Sequence, residues 1–360
     1  MAFSRLKTMR KTTRSNIVTF GIVILFYLVV QLLSAGGLLS NSFEGQLIPI
    51  CAYVVMAVSL NLTVGFLGEL SLGHAGFMSV GAFAGVLVWT VAGESLPVFA
   101  ALPLAFLAGG VAAGLFGVIV GVPVLRLSGD YLAIVTLAFG EIIKNIINAC
   151  YLGYDSTGLH FSLQDQSSMG LDPDGTVLIN GAMGITRIQR VSNFTIGILL
   201  VLATVAVVLN LIRSRTGRAI TAIRDNEIAA QSAGINLTRY KLTAFVVSAV
   251  FAGLAGVLYG LNFSSLTASR FDYNTSIQIL VFVVLGGMGS VRGSIIAAAL
   301  LTVLPEMLRA LNDYRMLIYA IVLIAMMIFN QSPQIAAWRK RLVEKVRTGL
   351  GKSKKTKEVA

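Results

Sequence analysis

Long apolar stretches constrain this chain more than any other feature of its sequence. A helix of about 20 mostly apolar residues can cross roughly 30 Å of hydrocarbon, because it satisfies its own backbone hydrogen bonds. The pattern predicts an all-α integral membrane protein, a polytopic bundle of about ten transmembrane helices. The ten stretches are 17–34, 46–66, 72–92, 98–121, 131–150, 193–212, 242–262, 276–290, 294–311 and 315–330.

A glycine-rich segment at 286–294 separates the eighth and ninth stretches. Such a segment is compatible with a tight turn at the membrane surface. It is equally compatible with a broken, re-entrant segment within the bundle.

The composition excludes several other classes of protein. Hydrophobic residues make up 56% of the chain and charged residues only 12%, whereas soluble domains carry about 25% charged residues. Two cysteines and two histidines exclude a disulfide scaffold and a metal centre built from these residues. The net charge of +12 is compatible with nucleic-acid binding, but basic residues in a membrane protein also mark its orientation. The positions of the basic residues distinguish these two interpretations.

The basic residues follow the positive-inside rule. If the N-terminus is cytoplasmic, ten spans return the C-terminus to the same side, and 22 of the 28 lysines and arginines then face the cytoplasm while five face outward. This asymmetry predicts both termini cytoplasmic and accounts for the positive charge without nucleic acid. The predicted organisation is a basic N-terminal segment (1–16), a transmembrane domain (17–330) and a basic cytoplasmic tail (331–360).

Two predicted loops are long enough to have structure of their own. The outer loop, 151–192, is rich in Gly, Ser and Asp and is a candidate docking surface. The inner loop, 213–241, has basic residues at both ends and a predicted helix over 217–234, in which Asn226 can cap a turn and Gly234 can end it. This helix could dock a partner protein, or it could be held at the lipid surface by its basic residues.

Four residues of the inner loop carry a resemblance to known proteins. Glu227, Ala229, Ala230 and Gly234 resemble the EAA loop of ABC importer permeases, a coupling helix that docks in a cleft of the ATPase subunit. Ile228 interrupts the usual consecutive Glu-Ala-Ala, and the glycine follows the glutamate by seven residues instead of six. These departures argue against the sugar and peptide permeases. The neighbouring Arg224 and Asp225 belong to the same predicted coupling surface.

Four further stretches occur in a fixed order along the chain: Ser71–Gly85, Asp130–Ile147, the inner loop through Gly260, and Leu285–Ser294. Together they resemble the branched-chain amino acid ABC importer permeases of the LivM type. The resemblance implies half of a translocation pathway for leucine, isoleucine and valine, in the plasma (inner) membrane of a prokaryote. Implied partners are a LivH-type permease, two ABC ATPase subunits and an extracytoplasmic binding protein. Related permeases transport urea or short amides, and such a substrate stays an alternative.

Five residues within these stretches are candidates for the pathway: Ser71, His74, Thr136, Glu141 and Lys144. A charge in mid-bilayer costs about 2.5–3.5 kcal/mol, so charged residues there usually face a partner or an aqueous cavity. Glu141 and Lys144 lie three residues apart on one helix face and can neutralise each other. They could line the pathway, or they could be an internal ion pair that orients the fifth helix. His74 could act as a gate or bond a neighbouring backbone carbonyl.

The sequence predicts no enzyme active site. It lacks the G-x-x-x-x-G-K-[ST] loop that holds ATP phosphates, so ATP would be bound by partner subunits and this chain would carry no cofactor. Neither histidine has a nearby acid that would orient it for catalysis, and the two are predicted on opposite sides of the membrane. The alternative class is a self-sufficient secondary transporter.

Overall fold

The computed structural model describes residues 11–37, 41–93, 96–127, 129–155, 158–171, 175–308, 314, 317–318 and 320–324. The predicted cytoplasmic tail, the first ten residues and most of the predicted tenth span lie outside the described residues. Within them the protein is mostly helical, which agrees with an all-α membrane protein.

The helices follow the predicted apolar stretches closely. Helix α2 continues as a π-helical turn over Leu62–Leu67. The helices are α1 (Lys11–Ala35), α2 (Asn41–Asn61), α3 (His74–Ala92), α4 (Val98–Val124), α5 (Asp130–Asn148), α6 (Phe194–Arg213), α7 (Arg215–Asp225), α8 (Glu227–Ser232), α9 (Leu237–Gly260), α10 (Tyr273–Gly286) and α11 (Val291–Met307).

Seven helices of the described residues are long and apolar enough to cross a membrane: α1 to α6 and α9. Helix α10, on the predicted eighth stretch, has 14 residues and at 1.5 Å per residue is about 21 Å long, too short to cross alone. Helix α11, with 17 residues, is at the lower limit. The structure therefore supports a multi-pass membrane bundle, and ten spans stay a prediction.

Small strands, which the sequence analysis did not predict, mark one end of the bundle. Strands β1 (Tyr151–Asp155), β2 (Gly158–Ser162) and β3 (Thr176–Asn180) form an antiparallel sheet in the order β2-β1-β3, and β4 (Ile185–Thr186) pairs with β5 (Ser265–Leu266). We call this the sheet end and the opposite one, which carries α7 and α8, the α8 end.

The β1–β2 hairpin overturns one expectation about the histidines. Strand pairing places His160 opposite Gly153, and its Nε2 lies 3.1 Å from the buried carboxylate of Asp155. His160 Nδ1 lies 3.0 Å from the carbonyl oxygen of Met169. His160 therefore does have a nearby acid, because the hairpin turn brings residues five apart into contact.

Two helices start inside the bundle instead of at its ends. Residues 68–73, between the π-helical turn and α3, are not helical, and α3 begins at His74 beside the middle of α5. Helix α10 also begins beside α5, after a connection from β5 that contains the short 3-10 helix Ala268–Phe271. The Ser276 hydroxyl of α10 accepts a hydrogen bond from the Ala75 N–H of α3 at 3.0 Å. Helix α3 is thus preceded by non-helical residues and α10 by a 3-10 helix, and both helices begin beside α5.

The glycine-rich segment at 286–294 is a tight turn at the α8 end. Gly287 and Gly289 have positive φ angles of 90° and 79°, and the Gly289 N–H donates to Asn61 Oδ1 at 2.8 Å. The interruption next to the predicted eighth stretch lies before α10 instead. It is about 15 residues earlier in the chain than the re-entrant segment that was one of the two predicted alternatives.

Glycines let α3, α4 and α9 pack with their backbones in contact. A Cβ atom at Gly81 would lie 2.2 Å from Gly253 Cα, and one at Gly109 would lie 2.7 Å from the Gly81 carbonyl oxygen. Close approach of small residues is the usual means of helix packing in lipid. These three helices form the centre of the bundle.

We expect Gly81→Ala to destabilise the protein strongly. The added methyl group meets the Gly253 backbone, which cannot rotate away as a side chain can, so we expect a cost of about 3 kcal/mol or more. Thermal unfolding in detergent measures it. Gly21→Ala is the control, because a Cβ there has no atom within 4 Å. Equal melting temperatures for the two variants would contradict the packing.

Candidate functional site

The inner loop folds as two short helices instead of the single predicted one. The chain breaks at Asn226, which is extended (φ −160°, ψ 107°) and whose Oδ1 accepts a hydrogen bond from the Ala229 N–H at 2.9 Å. Gly234 ends the segment with φ +82°. The predicted cap and the predicted left-handed glycine are both confirmed.

One face of α7 and α8 packs against the bundle. Ile220, Ile223 and Ala230 are buried in one cluster with Leu62 and Leu67 of the π-helical turn. Because the bundle covers this apolar face, it is not available to lipid. The helix pair is held by protein contacts, which does not fit the alternative of a helix held at the membrane surface.

The opposite face of the pair is exposed and mixes charged and apolar side chains. Asp225 is exposed over 68% of its side chain, and Ile228 is 79% exposed. Ile228 is the residue that interrupts the expected Glu-Ala-Ala pattern. A single exposed aliphatic side chain is common on protein surfaces, so this face is characterised by its exposure and its charges.

Arg224, Glu227 and Lys241 join this pair to the rest of the bundle. Arg224 donates to the Gly65 carbonyl oxygen at 3.3 Å and pairs with Asp225 at 2.9 Å. Lys241 Nζ lies 3.0 Å from Glu227 Oε1 and 2.6 Å from Glu69 Oε1. A groove of about 450 Å³ runs between α7–α8 and residues 67–70.

Three pathway candidates meet where α3 begins. Thr136 Oγ1 accepts a hydrogen bond from the Leu72 N–H at 3.0 Å and donates to the Ala133 carbonyl oxygen. His74 is buried, and its Nε2 lies 2.9 Å from Ser59 Oγ. Ser71 is buried as well, and among the described residues no hydrogen-bond partner reaches its Oγ. The structure therefore brings Ser71, His74 and Thr136 together around one break in the helices.

Glu141 and Lys144 lie further along α5, where α10 begins. The two side chains pair with each other, as predicted. Glu141 Oε1 also accepts the Tyr273 N–H of α10 at 3.0 Å, so one carboxylate neutralises a cation and caps a helix. A pocket between Leu72, Gly76, Glu141, Asp272 and Ser276 is too small to admit a water molecule. This closed pocket marks the junction of α3, α5 and α10. Of the five pathway candidates Glu141 lines it, whereas Ser71, His74, Thr136 and Lys144 are not among its lining residues.

Several polar residues of the α7–α8 surface and of the junction of α3, α5 and α10 were not predicted from the sequence. Ser59 and Asn61 are polar positions near the end of an apolar stretch, and Ser276 is the first residue of the predicted eighth span. Glu69 and Lys241 flank predicted spans, where charged residues are common. Buried polar residues within apolar runs were the available signal, but only the fold shows which of them meet.

Helices that break inside a membrane bundle are a feature of transport proteins. A family model of the permease components of branched-chain amino acid transport systems matches residues 42–327. The chain belongs to this family.

Relatives of known function agree with this assignment. The chain is 35% identical over 310 residues to the high-affinity branched-chain amino acid permease proteins LivM of Salmonella typhimurium and Escherichia coli, covering 83% of this chain and 71% of each relative. It is 26% identical over 265 residues to LivH of Escherichia coli, covering 69% of this chain and 79% of LivH. These relatives are transport permease subunits, not enzymes. The likeness to both LivM and LivH implies a system with paired permeases.

We expect Asn226→Ala to loosen α8 without unfolding the bundle. It removes the side-chain acceptor for the Ala229 N–H, which is worth about 1 kcal/mol at a helix start. Amide hydrogen exchange over 227–232 should therefore become faster. Asn236→Ala is the control, because Asn236 caps α9 in the same way, through the Arg239 N–H at 3.1 Å. Unchanged exchange in α8 would contradict the role of the cap.

Proposed function

We propose that this chain forms half of the translocation pathway of an ABC importer for leucine, isoleucine and valine. Its relatives support the substrates, since the LivM proteins are named as high-affinity branched-chain amino acid permeases. The proposed partners are a LivH-type permease, two ABC ATPase subunits that bind the ATP, and an extracytoplasmic binding protein. The observation that carries the proposal is α7–α8, packed by one face and exposed by the other, as a docking site for an ATPase requires.

The proposed location is the plasma (inner) membrane of a prokaryote, with ten crossings and both termini in the cytoplasm. The positive-inside count supports this orientation. The α8 end would then face the ATPases, and the sheet end would face the binding protein. Exposed Tyr154, Leu159 and Phe161 on the β1–β2 hairpin support a docking role for the sheet.

We propose that the substrate passes along the junction of α3, α5 and α10. Non-helical backbone at membrane depth is tolerated where it is buried in protein or lines a cavity, and it often marks the pathway of a transporter. Ser71, His74 and Thr136 would form one wall. Glu141 and Lys144 would meet the ammonium and carboxylate groups of an amino acid. Broken helices also occur in secondary transporters, but membership of this family favours the importer.

Co-purification tests the importer assignment directly. We expect a tagged chain extracted in mild detergent to retain its ATPase subunits, and uptake to stop when the phosphate-loop lysine of those subunits is replaced. Uptake that continues with a disabled ATPase would contradict the proposal and favour a secondary transporter.

We expect Gly234→Pro and Glu227→Lys to uncouple uptake from ATP hydrolysis while the protein stays inserted. Proline cannot adopt φ +82° and removes the Gly234 N–H that bonds the Gln231 carbonyl oxygen at 2.9 Å. The lysine at 227 would repel Lys241. Uptake per ATP hydrolysed, measured in proteoliposomes, should fall at least ten-fold.

Gly37→Pro is the matched control for Gly234→Pro. Gly37 also has a positive φ, +65°, and its N–H bonds the Ser34 carbonyl oxygen at 3.0 Å, but it lies at the end of α1. If the variants at 227 and 234 take up substrate like the wild type, α8 is not the coupling helix.

We expect Glu141→Gln to reduce uptake about ten-fold without reducing the amount of protein in the membrane. It removes a charge-assisted hydrogen bond worth about 1.5–3 kcal/mol and leaves Lys144 without its neutralising charge. Glu44→Gln is the control. Glu44 accepts a hydrogen bond of 2.6 Å from the Ser34 hydroxyl, and this pair does not belong to the junction. Uptake unchanged by Glu141→Gln would exclude Glu141 from the pathway.

A further inference from the structure

Lys241 is a buried cation held between two carboxylates from different parts of the chain. Its side chain is only 4% exposed, one turn into α9. Glu69, 15% exposed, approaches its Nζ to 2.6 Å, and Glu227, 48% exposed, approaches it to 3.0 Å. A cation removed from water depends on its anionic partners, so Lys241 holds both carboxylates in place.

The two carboxylates belong to the two segments that transport has to connect. Glu227 is the first residue of α8, on the exposed helix pair. Glu69 lies in the non-helical segment 68–73, which leads directly into α3. Lys241 therefore joins the proposed ATPase-docking surface to the start of a broken helix through two short contacts.

The segment 68–73 can transmit a displacement because its far end is fixed to the junction. Four residues beyond Glu69, Gly73 packs so closely on Thr136 that a Cβ would lie 2.1 Å from the Thr136 carbonyl oxygen. The Leu72 N–H bonds Thr136 Oγ1, and the Ala75 N–H bonds Ser276. A shift of Glu69 thus has to move the backbone that α5 and α10 contact.

A second link runs parallel to the first. Arg224 of α7 donates to the Gly65 carbonyl oxygen. Its side chain also packs on Gly68, because a Cβ atom on Gly68 would lie 2.7 Å from Arg224 Cγ. Gly68 has φ +85°, a conformation that favours glycine. The helix pair α7–α8 therefore contacts both ends of the stretch 65–69. Arg224 binds Gly65 at one end, and Glu227 is joined through Lys241 to Glu69 at the other.

We propose that Lys241 is a positioning residue that transmits movement of α8 to the junction of α3, α5 and α10, through Glu227 and Glu69. This inference rests on the proposed coupling role of α8. Glu227 is exposed enough for a docked ATPase to displace it, whereas the Lys241–Glu69 pair is shielded from water. A movement of Glu227 that Lys241 follows therefore carries Glu69 with it, because the buried pair stays together.

Lys241→Met in the complete reconstituted transporter tests the proposal. Methionine keeps most of the length and removes the charge, so we expect uptake per ATP hydrolysed to fall at least ten-fold while the ATPase subunits still co-purify. Lys241→Arg should retain most of the coupling, because it keeps a cation between the carboxylates. Arg126→Met, which removes an exposed charge outside the inner loop, should couple like the wild type.

A double-mutant cycle separates coupling from a general loss of folding. If the pair acts as a unit, Glu69→Gln should impair coupling, and the double variant Glu69→Gln/Lys241→Met should be no worse than Lys241→Met alone. Should Lys241→Met fail to accumulate in the membrane, Glu69→Gln with Lys241→Arg provides the same comparison with the cation retained.

Two outcomes overturn the inference: wild-type coupling in Lys241→Met, or equal losses in Lys241→Met and Arg126→Met. Failure of the proposed function gives a different result, because the wild-type chain would then retain no ATPase and show no ATP-driven uptake. If uptake is coupled to ATP hydrolysis in the wild type and equally in Lys241→Met, only the role of Lys241 is rejected.

Discussion

The structure depends on how backbone N–H and carbonyl groups are satisfied where helices break inside a membrane bundle. An unsatisfied backbone group in an apolar environment costs several kcal/mol, so a break persists only where side chains replace the missing helical bonds. Thr136 accepts from Leu72, Ser276 from Ala75 and Glu141 from Tyr273. These three acceptors stabilise the breaks and bring α3, α5 and α10 together at one junction.

The glycine-packed centre gives these breaks a fixed frame. Helices α3, α4 and α9 are in backbone contact through Gly81, Gly109 and Gly253, so they cannot slide past one another without steric clash. The start of α3 is closely packed as well, because a Cβ on Gly73 would lie 2.1 Å from the Thr136 carbonyl oxygen. Helix α10 buries Ile279, Phe282 and Val283. The side-chain hydrogen bonds at the junction therefore act together with close packing.

Sequence reasoning recovered what depends on composition and local pattern. The apolar stretches located the long helices, Asn226 and Gly234 located the ends of α8, and the spacing of Glu141 and Lys144 gave their ion pair. The gaps between predicted stretches, 67–71 and 263–275, coincide with the interruptions before α3 and α10. The sequence did not show that these residues pack against α5, because that contact depends on residues more than 60 positions away. It also missed Ser59, Glu69 and Ser276, whose partners are 15, 172 and 201 residues away.

A few charged residues at the α8 end connect the α7–α8 surface to the junction of α3, α5 and α10. Within the described residues, Lys241 contacts Glu69 and Glu227, and Glu69 lies four residues before Gly73, whose backbone rests on Thr136. Between Glu69 and Gly73 lie only three residues, Leu70, Ser71 and Leu72, and none of them is helical. One end of this short segment contacts Lys241 and the other contacts Thr136. The charged residues at the α8 end and the polar contacts at the junction of α3, α5 and α10 therefore belong to one connected set of residues.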